Sequence, residues 1–235
     1  TKVPSPLNQN RIVTMRNLLF LPIVLMACSS ADQQATENKV EETVAPPKDS
    51  LIHPLEKHFK SLKQLTFGGD NAEAYWSFDG NMLSFQSNNP NWGEQCDQIH
   101  VFNPFTDDLR ANEPTRVSLQ GGRTTCSYFL PGDSLVLFAT TVGAGKECPP
   151  VPERRADKKY VWPIYDSFDI VLTDLKGNIK RKLTDQKGYD AEATVSPKGD
   201  RIVFTSMRDG DLDLYTMNID GSDVKRITST LGYDG

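Results

Sequence analysis

The chain is poor in histidine and cysteine, with 3 and 4 residues respectively in 235. None of the signatures Gly-x-Ser-x-Gly, His-Glu-x-x-His or the phosphate loop accompanies the three histidines, so the sequence encodes no recognisable triad, zinc protease motif or nucleotide cradle. No Cys-x-x-Cys pair occurs, which excludes the usual zinc ribbon and dithiol redox motifs. Positive charge is also in deficit: Lys+Arg 26 against Asp+Glu 31 leave a net charge of −5. Without a basic stripe the chain is not expected to bind nucleic acid. The apolar run at residues 18–27 is interrupted by Pro22 and falls short of the roughly 20 residues needed to cross a bilayer core of about 30 Å. A multi-pass membrane protein, a collagen-like chain and a wholly disordered chain are excluded by the same composition. What remains, with scattered glycine and proline, is a turn-rich β protein.

The N-terminal region carries export chemistry. Residues 1–14 are polar and precede Met15-Arg16-Asn17, which opens the apolar run and is followed by Cys28-Ser29-Ser30. A charged start, about ten apolar residues and small residues after them form a secretory signal. Leu25-Met26-Ala27-Cys28 resembles a bacterial lipobox, which implies cleavage before Cys28, lipidation of its thiol and, with Ser29 next, sorting to the outer membrane. Residues 1–14 are expected to be an upstream extension, 15–27 a lipoprotein signal peptide and 28–61 a disordered tether with a short lead-in. Residues 51–62 are expected to form a short helix at its end.

Residues 62–235 are organised by internal repetition. Leu183-Thr184, Ala191-Glu192-Ala193, Ser196-Pro197-Lys198-Gly199, Ile202-Val203-Phe204 and Arg208-Asp209-Gly210 are echoed by Leu65-Thr66, Ala72-Glu73-Ala74, Ser77-Phe78-Asp79-Gly80 and Leu83-Ser84-Phe85. A degenerate copy runs through Cys126-Ser127-Tyr128, Leu130-Pro131-Gly132-Asp133 and Val136-Leu137-Phe138, and a further copy starts at Arg226-Ile227-Thr228. Each copy alternates β-branched and aromatic runs with Asp-Gly or Pro-x-Gly turns that supply positive φ. Four such runs at an interval of about 40–45 residues make a propeller blade. The fold expected is all-β, a β-propeller of four-stranded antiparallel blades, with three blades and the start of a fourth present.

These residues resemble the TolB-type, WD-like propeller repeat, whose pattern runs Arg-Leu-Thr, Ser-Pro-Asp-Gly, Arg-Asp-Gly and Asp-Ile-Tyr. Lys198 replaces the Asp, and Phe78 stands where Pro is usual. The resemblance implies a periplasmic binding or scaffold protein of the cell envelope, recognising a protein, peptide or envelope polymer, and the lipobox adds a lipid anchor. It implies no cofactor, and contact with the membrane only through the lipid. The chain itself is expected not to be an enzyme. The alternative is the propeller of a peptidase or another hydrolase or lyase whose catalytic part follows residue 235.

Two loops depart from the repeat. Residues 88–97 contain Trp92 and Cys96, while residues 142–167 form a proline-rich insertion with Cys148, Tyr160, Trp162 and Tyr165. Both follow the second strand of their blades, so both are expected on one face, where aromatic surface favours binding. With Cys28 lipidated, Cys96, Cys126 and Cys148 allow one disulfide and one leftover thiol, the pairing left open. Cys126 aligns with Glu73 and Glu192, which with Asp190 are expected to form an acidic ring near the axis. Neither a catalytic set nor a metal site is expected from these residues. Three blades fall short of the usual four to eight, so the sequence is expected to be truncated at its C-terminus, exposing two apolar sheet faces.

Overall fold

The computed structural model describes residues 51–235 except Arg154 and Tyr160. The upstream extension, the signal, Cys28 and the tether up to residue 50 therefore lie outside the described residues, as does Tyr160. Among the described residues, twelve strands form three four-stranded antiparallel sheets. The first contains β1 (Asp70–Trp76), β2 (Leu83–Asn88), β3 (Gln98–Phe102) and β4 (Thr115–Arg116). The second contains β5 (Thr124–Phe129), β6 (Leu135–Thr140), β7 (Asp169–Asp174) and β8 (Ile179–Lys182). The third contains β9 (Asp190–Val195), β10 (Arg201–Ser206), β11 (Asp213–Asn218) and β12 (Lys225–Arg226). Each is a meander running from its innermost strand outward, and the inner strands β1, β5 and β9 are neighbours. This is an arc of propeller blades.

The blades join through two apolar layers. Ile99, Val101 and Val117 of the first blade meet Phe129, Val136, Phe138 and Val171 of the second. Leu137, Ala139, Ile170 and Leu172 of the second meet Ile202, Phe204 and Met217 of the third. Alternation along β6 and β7 thus feeds both layers, and burying each phenylalanine contributes roughly 1.5–3 kcal/mol. One backbone bond recurs between blades: Thr124 N–H donates to Asp97 O (3.0 Å), Asp190 N–H to Phe168 O (3.1 Å) and Asp234 N–H to Leu212 O (2.8 Å). Asp234 therefore occupies the place in the third repeat boundary that Asp190 occupies in the second.

Turn chemistry explains the Ser-Pro-x-Gly signal. Ser196 Oγ accepts from Asp200 and Arg201 N–H while Gly199 N–H donates to Ser196 O. Ser77 and Gly80 repeat this arrangement in the first blade. Gly199 has φ 73°, and Asp133 takes the same left-handed position in the second blade with φ 52°. A Cβ at Gly199 would also lie 2.1 Å from Pro131 of the second blade, so glycine there serves both the turn and the blade contact.

Two expectations are corrected. Residues 51–62 form turns, not a helix. His53 Nδ1 accepts Leu55 N–H and the Glu56 carboxylate accepts the N–H groups of His58 and Phe59, local bonds that compete with helical ones, while Pro54 supplies no donor. The outer face of the first blade is covered rather than exposed: Leu65, Trp92 and Leu109 fold over Leu83, Phe85 and Phe102. On the third blade the corresponding outward positions include Thr205 and Thr216, and Arg201 spans Thr216, Asn218 and Asp223. That face is thus partly polar. Among the described residues, no helix is long and apolar enough to cross a membrane.

Candidate binding site at the blade axis

The three inner strands carry the same irregularity. Pairing skips between Ala72 and Tyr75, between Thr125 and Ser127, and between Ala191 and Thr194, leaving one extra residue on each inner strand. At these bulges Glu73, Cys126 and Glu192 adopt φ of 53°, 45° and 58°. Left-handed backbone is costly for residues with side chains, about 1 kcal/mol or more each. The bulge re-aims the chain so that all three line one cavity of about 620 Å³.

The walls of the cavity come from both departing loops. The 3-10 turn Pro90–Trp92 starts the first loop, which then runs to Cys96 and Asp97. Residues 141–168 join β6 to β7 as the insertion. Cys96 and Cys148 are disulfide-bonded, with Cα atoms 5.9 Å apart. This bond brings the two loops together at one end of the blades. Gly122 N–H donates to Lys146 O at 2.7 Å, and a Cβ on Gly122 would meet Val142 N at 2.8 Å. The close passage of the insertion over β5 therefore requires glycine there. Further along, Tyr165 Oη donates to Pro150 O and its ring lies under the Arg123 guanidinium at 6.0 Å. Trp162 stands edge-to-face with Tyr233, ring centres 5.6 Å apart. Trp162, Tyr165, Phe168 and Tyr189 thereby supply an aromatic wall.

The polar groups of the cavity are mostly held in pairs. Tyr75 Oη donates to Glu73 (2.9 Å) and Tyr189 Oη to Glu192 (3.1 Å). Burial and the neighbouring Glu73 push the Tyr75 phenol up to about 12. Asp97 is ion-paired with Arg123; burial raises its carboxyl and Arg123 offsets part of that rise. Gln86 Oε1 accepts from Thr125 Oγ1 and Cys126 N–H, stitching the second strand of one blade to the inner strand of the next. The Cys126 thiol is free. Burial pushes it up to about 12, with Glu192 and Glu73 adding to the effect against the Thr125 hydrogen bond.

Of the residues singled out in the sequence, Glu73, Cys126, Trp162, Tyr165 and Glu192 meet at this cavity. Two do not. Trp92 turns away and packs against Phe85 and His100, 6.4 and 5.2 Å between ring centres, as cover for the first blade. Asp190 is buried and paired with Arg208 at 3.2 Å, so it neutralises a cation inside the third blade instead of joining the ring. Among residues the sequence did not signal, Asp97, Arg123 and Gln86 line the cavity, and Glu94 pairs with His100 at 2.8 Å beneath Trp92. A buried His with an acidic residue six positions earlier was the available clue, but strand register alone reveals their contact. Among the described residues, no group of three or more metal-ligating side chains is assembled.

Fold and site together define a propeller-type repeat protein with a mixed carboxylate and aromatic cavity at the axis. No family model matches the chain. It is 35% identical over 63 residues to the uncharacterized protein Atu1656 of Agrobacterium fabrum, covering 27% of this chain and 22% of that one. Among solved structures, TolB from Acinetobacter baumannii aligns at 19% identity over 70% of this chain and 34% of its own, TM-score 0.44. A putative TolB from Agrobacterium tumefaciens aligns at 23% identity over 69% of this chain and 63% of its own, TM-score 0.32. The chain thus spans about a fifth of the first of these proteins and about a third of the second.

Proposed function

We propose that this chain is a periplasmic, lipid-anchored binding or scaffold protein of the cell envelope, recognising a protein, peptide or envelope polymer through the face that carries the axial cavity. The observation that carries this reading is the construction of that face: two loops from different blades, tied by Cys96–Cys148, wall a cavity floored by the three inner-strand bulges. Binding sites concentrate on loops held by a rigid scaffold and in concave, partly apolar surfaces. Cys28 and the preceding apolar run support the envelope location. The chemistry of the cavity favours binding over catalysis. Glu73 and Glu192 accept bonds from phenols and Asp97 pairs with Arg123, and the single free thiol is pushed away from the thiolate form that a nucleophile requires.

The test is affinity capture from a solubilised envelope extract with the full chain. Trp162→Ala/Tyr165→Ala should abolish capture, while Phe105→Ala, on the exposed turn after β3 at the opposite end of the first blade, should leave it intact. Capture that survives the first variant, or that is lost with the second, contradicts the assignment of this face.

A further inference from the structure

We propose that the axial cavity receives a lysine-type side chain of a peptide, its ammonium group placed between Glu73 and Glu192 and its apolar stem against Trp162 and Tyr165. This inference rests on the binding role proposed above and names the chemistry of the ligand.

The cavity has a charge imbalance that its own cations leave uncorrected. Asp70, Glu73, Asp97 and Glu192 line it, against Arg123 alone. Arg123 is already committed to Asp97. Among the described residues, no ion pair reaches Asp70, Glu73 or Glu192, whereas Asp169, Asp174, Asp190 and Asp213 elsewhere each have a cationic partner. The Tyr75 phenol donates to one oxygen of Glu73, and Glu192 is held by the phenols of Tyr189 and Tyr233, so the carboxylates are fixed in place without a neutralising cation. An anion would meet uncompensated repulsion here.

Carboxylates on an open surface would only attract counterions; the walls make the difference. Trp162 and Tyr165 rise from the disulfide-anchored insertion and present ring surface beside the charges. Such rings attract a cation electrostatically and cover a hydrocarbon stem. A lysine side chain combines the two properties, a compact ammonium on an apolar stem long enough to pass the rings. An amino sugar carries its ammonium directly on the ring and lacks the flexible apolar stem that a lysine lays along the aromatic wall.

The experiment is calorimetric titration of the full chain with acetyl-trilysine amide, the same peptide acetylated at every Nε, and a glucosamine trimer. Trilysine is expected to bind at least about tenfold more tightly than its acetylated counterpart, and Glu73→Gln/Glu192→Gln to weaken it about tenfold or more. Added salt should weaken trilysine binding to the wild-type chain, a readout that needs no variant and stands even if the double variant misfolds. The proposal is overturned if acetylated peptide or glucosamine trimer binds as tightly as trilysine, if neither peptide binds, or if a folded double variant binds unchanged. Capture that depends on Trp162 without any trilysine binding would refute the lysine chemistry and leave the binding face standing; capture indifferent to Trp162 would remove both.

Discussion

Cys96 and Cys148 are joined across 52 positions of the chain, and through them the loop before β3 holds the insertion between β6 and β7. The bond connects two blades next to Asp97, which lines the axial cavity. Closing a loop of this length restricts the unfolded chain and is worth about 4 kcal/mol in the loop-entropy picture. Cys96→Ala/Cys148→Ala is expected to lower unfolding stability by about 2–4 kcal/mol, measured by denaturant titration. It is also expected to weaken capture through Trp162, because the insertion loses its tether. Unchanged stability would mean that the bond adds nothing to loop anchoring.

Beneath Trp92 lies a second structural dependence. Glu94 Oε1 is 2.8 Å from His100 Nε2, with both side chains buried, and Glu94 Oε2 accepts Asn89 N–H at 2.8 Å. Removing one member of a buried pair strands the other. Glu94→Ala is expected to cost about 3 kcal/mol, whereas Glu94→Gln, which keeps an oxygen for Asn89, should cost less. Thermal or denaturant unfolding of the two variants decides this, and equal, small losses would show the pair to be unimportant.

The inner-strand bulges make a backbone prediction. Cys126 has φ 45°, a region that glycine enters freely and a β-branched residue resists. Cys126→Gly should lie within about 1 kcal/mol of the wild type, and Cys126→Val should be destabilised by about 2 kcal/mol or more. If valine is tolerated as well as glycine, the left-handed bulge is not required.

Much of this architecture was legible beforehand. The recurrence of Leu-Thr, Ala-Glu-Ala and Ser-Pro-x-Gly has direct structural causes: a strand end, the inner-strand bulge and a turn whose serine caps it. The alignment of Cys126 with Glu73 and Glu192 has a cause too, since all three occupy the same bulge. What residue order could not reveal was direction. Asp190 and Glu192 are two positions apart, yet one faces Arg208 and the other the cavity, and Trp92 and Trp162 share a loop face but only the second reaches the axis. The Arg123–Asp97 and His100–Glu94 pairs depend on register between strands, which periodicity leaves undetermined.

The Cys126 thiol offers a measurement that is independent of stability. Burial moves it from about 9 to about 12, so near neutral pH its thiolate fraction is reduced about a thousandfold. Alkylation at Cys126, followed by peptide mapping, should be slow in the native chain, rise about tenfold per pH unit as pH approaches 12, and become fast on unfolding. Rapid native labelling near neutral pH would show an exposed or activated thiol.

The most direct test places a photo-crosslinking p-benzoylphenylalanine at position 162 in intact cells, with position 105 as the control at the opposite end of the blades. The expected result is a discrete adduct to an envelope component from position 162, competed by trilysine, and none from position 105. Absence of an adduct at 162, or equal adducts from both positions, would contradict a binding face at the axial cavity.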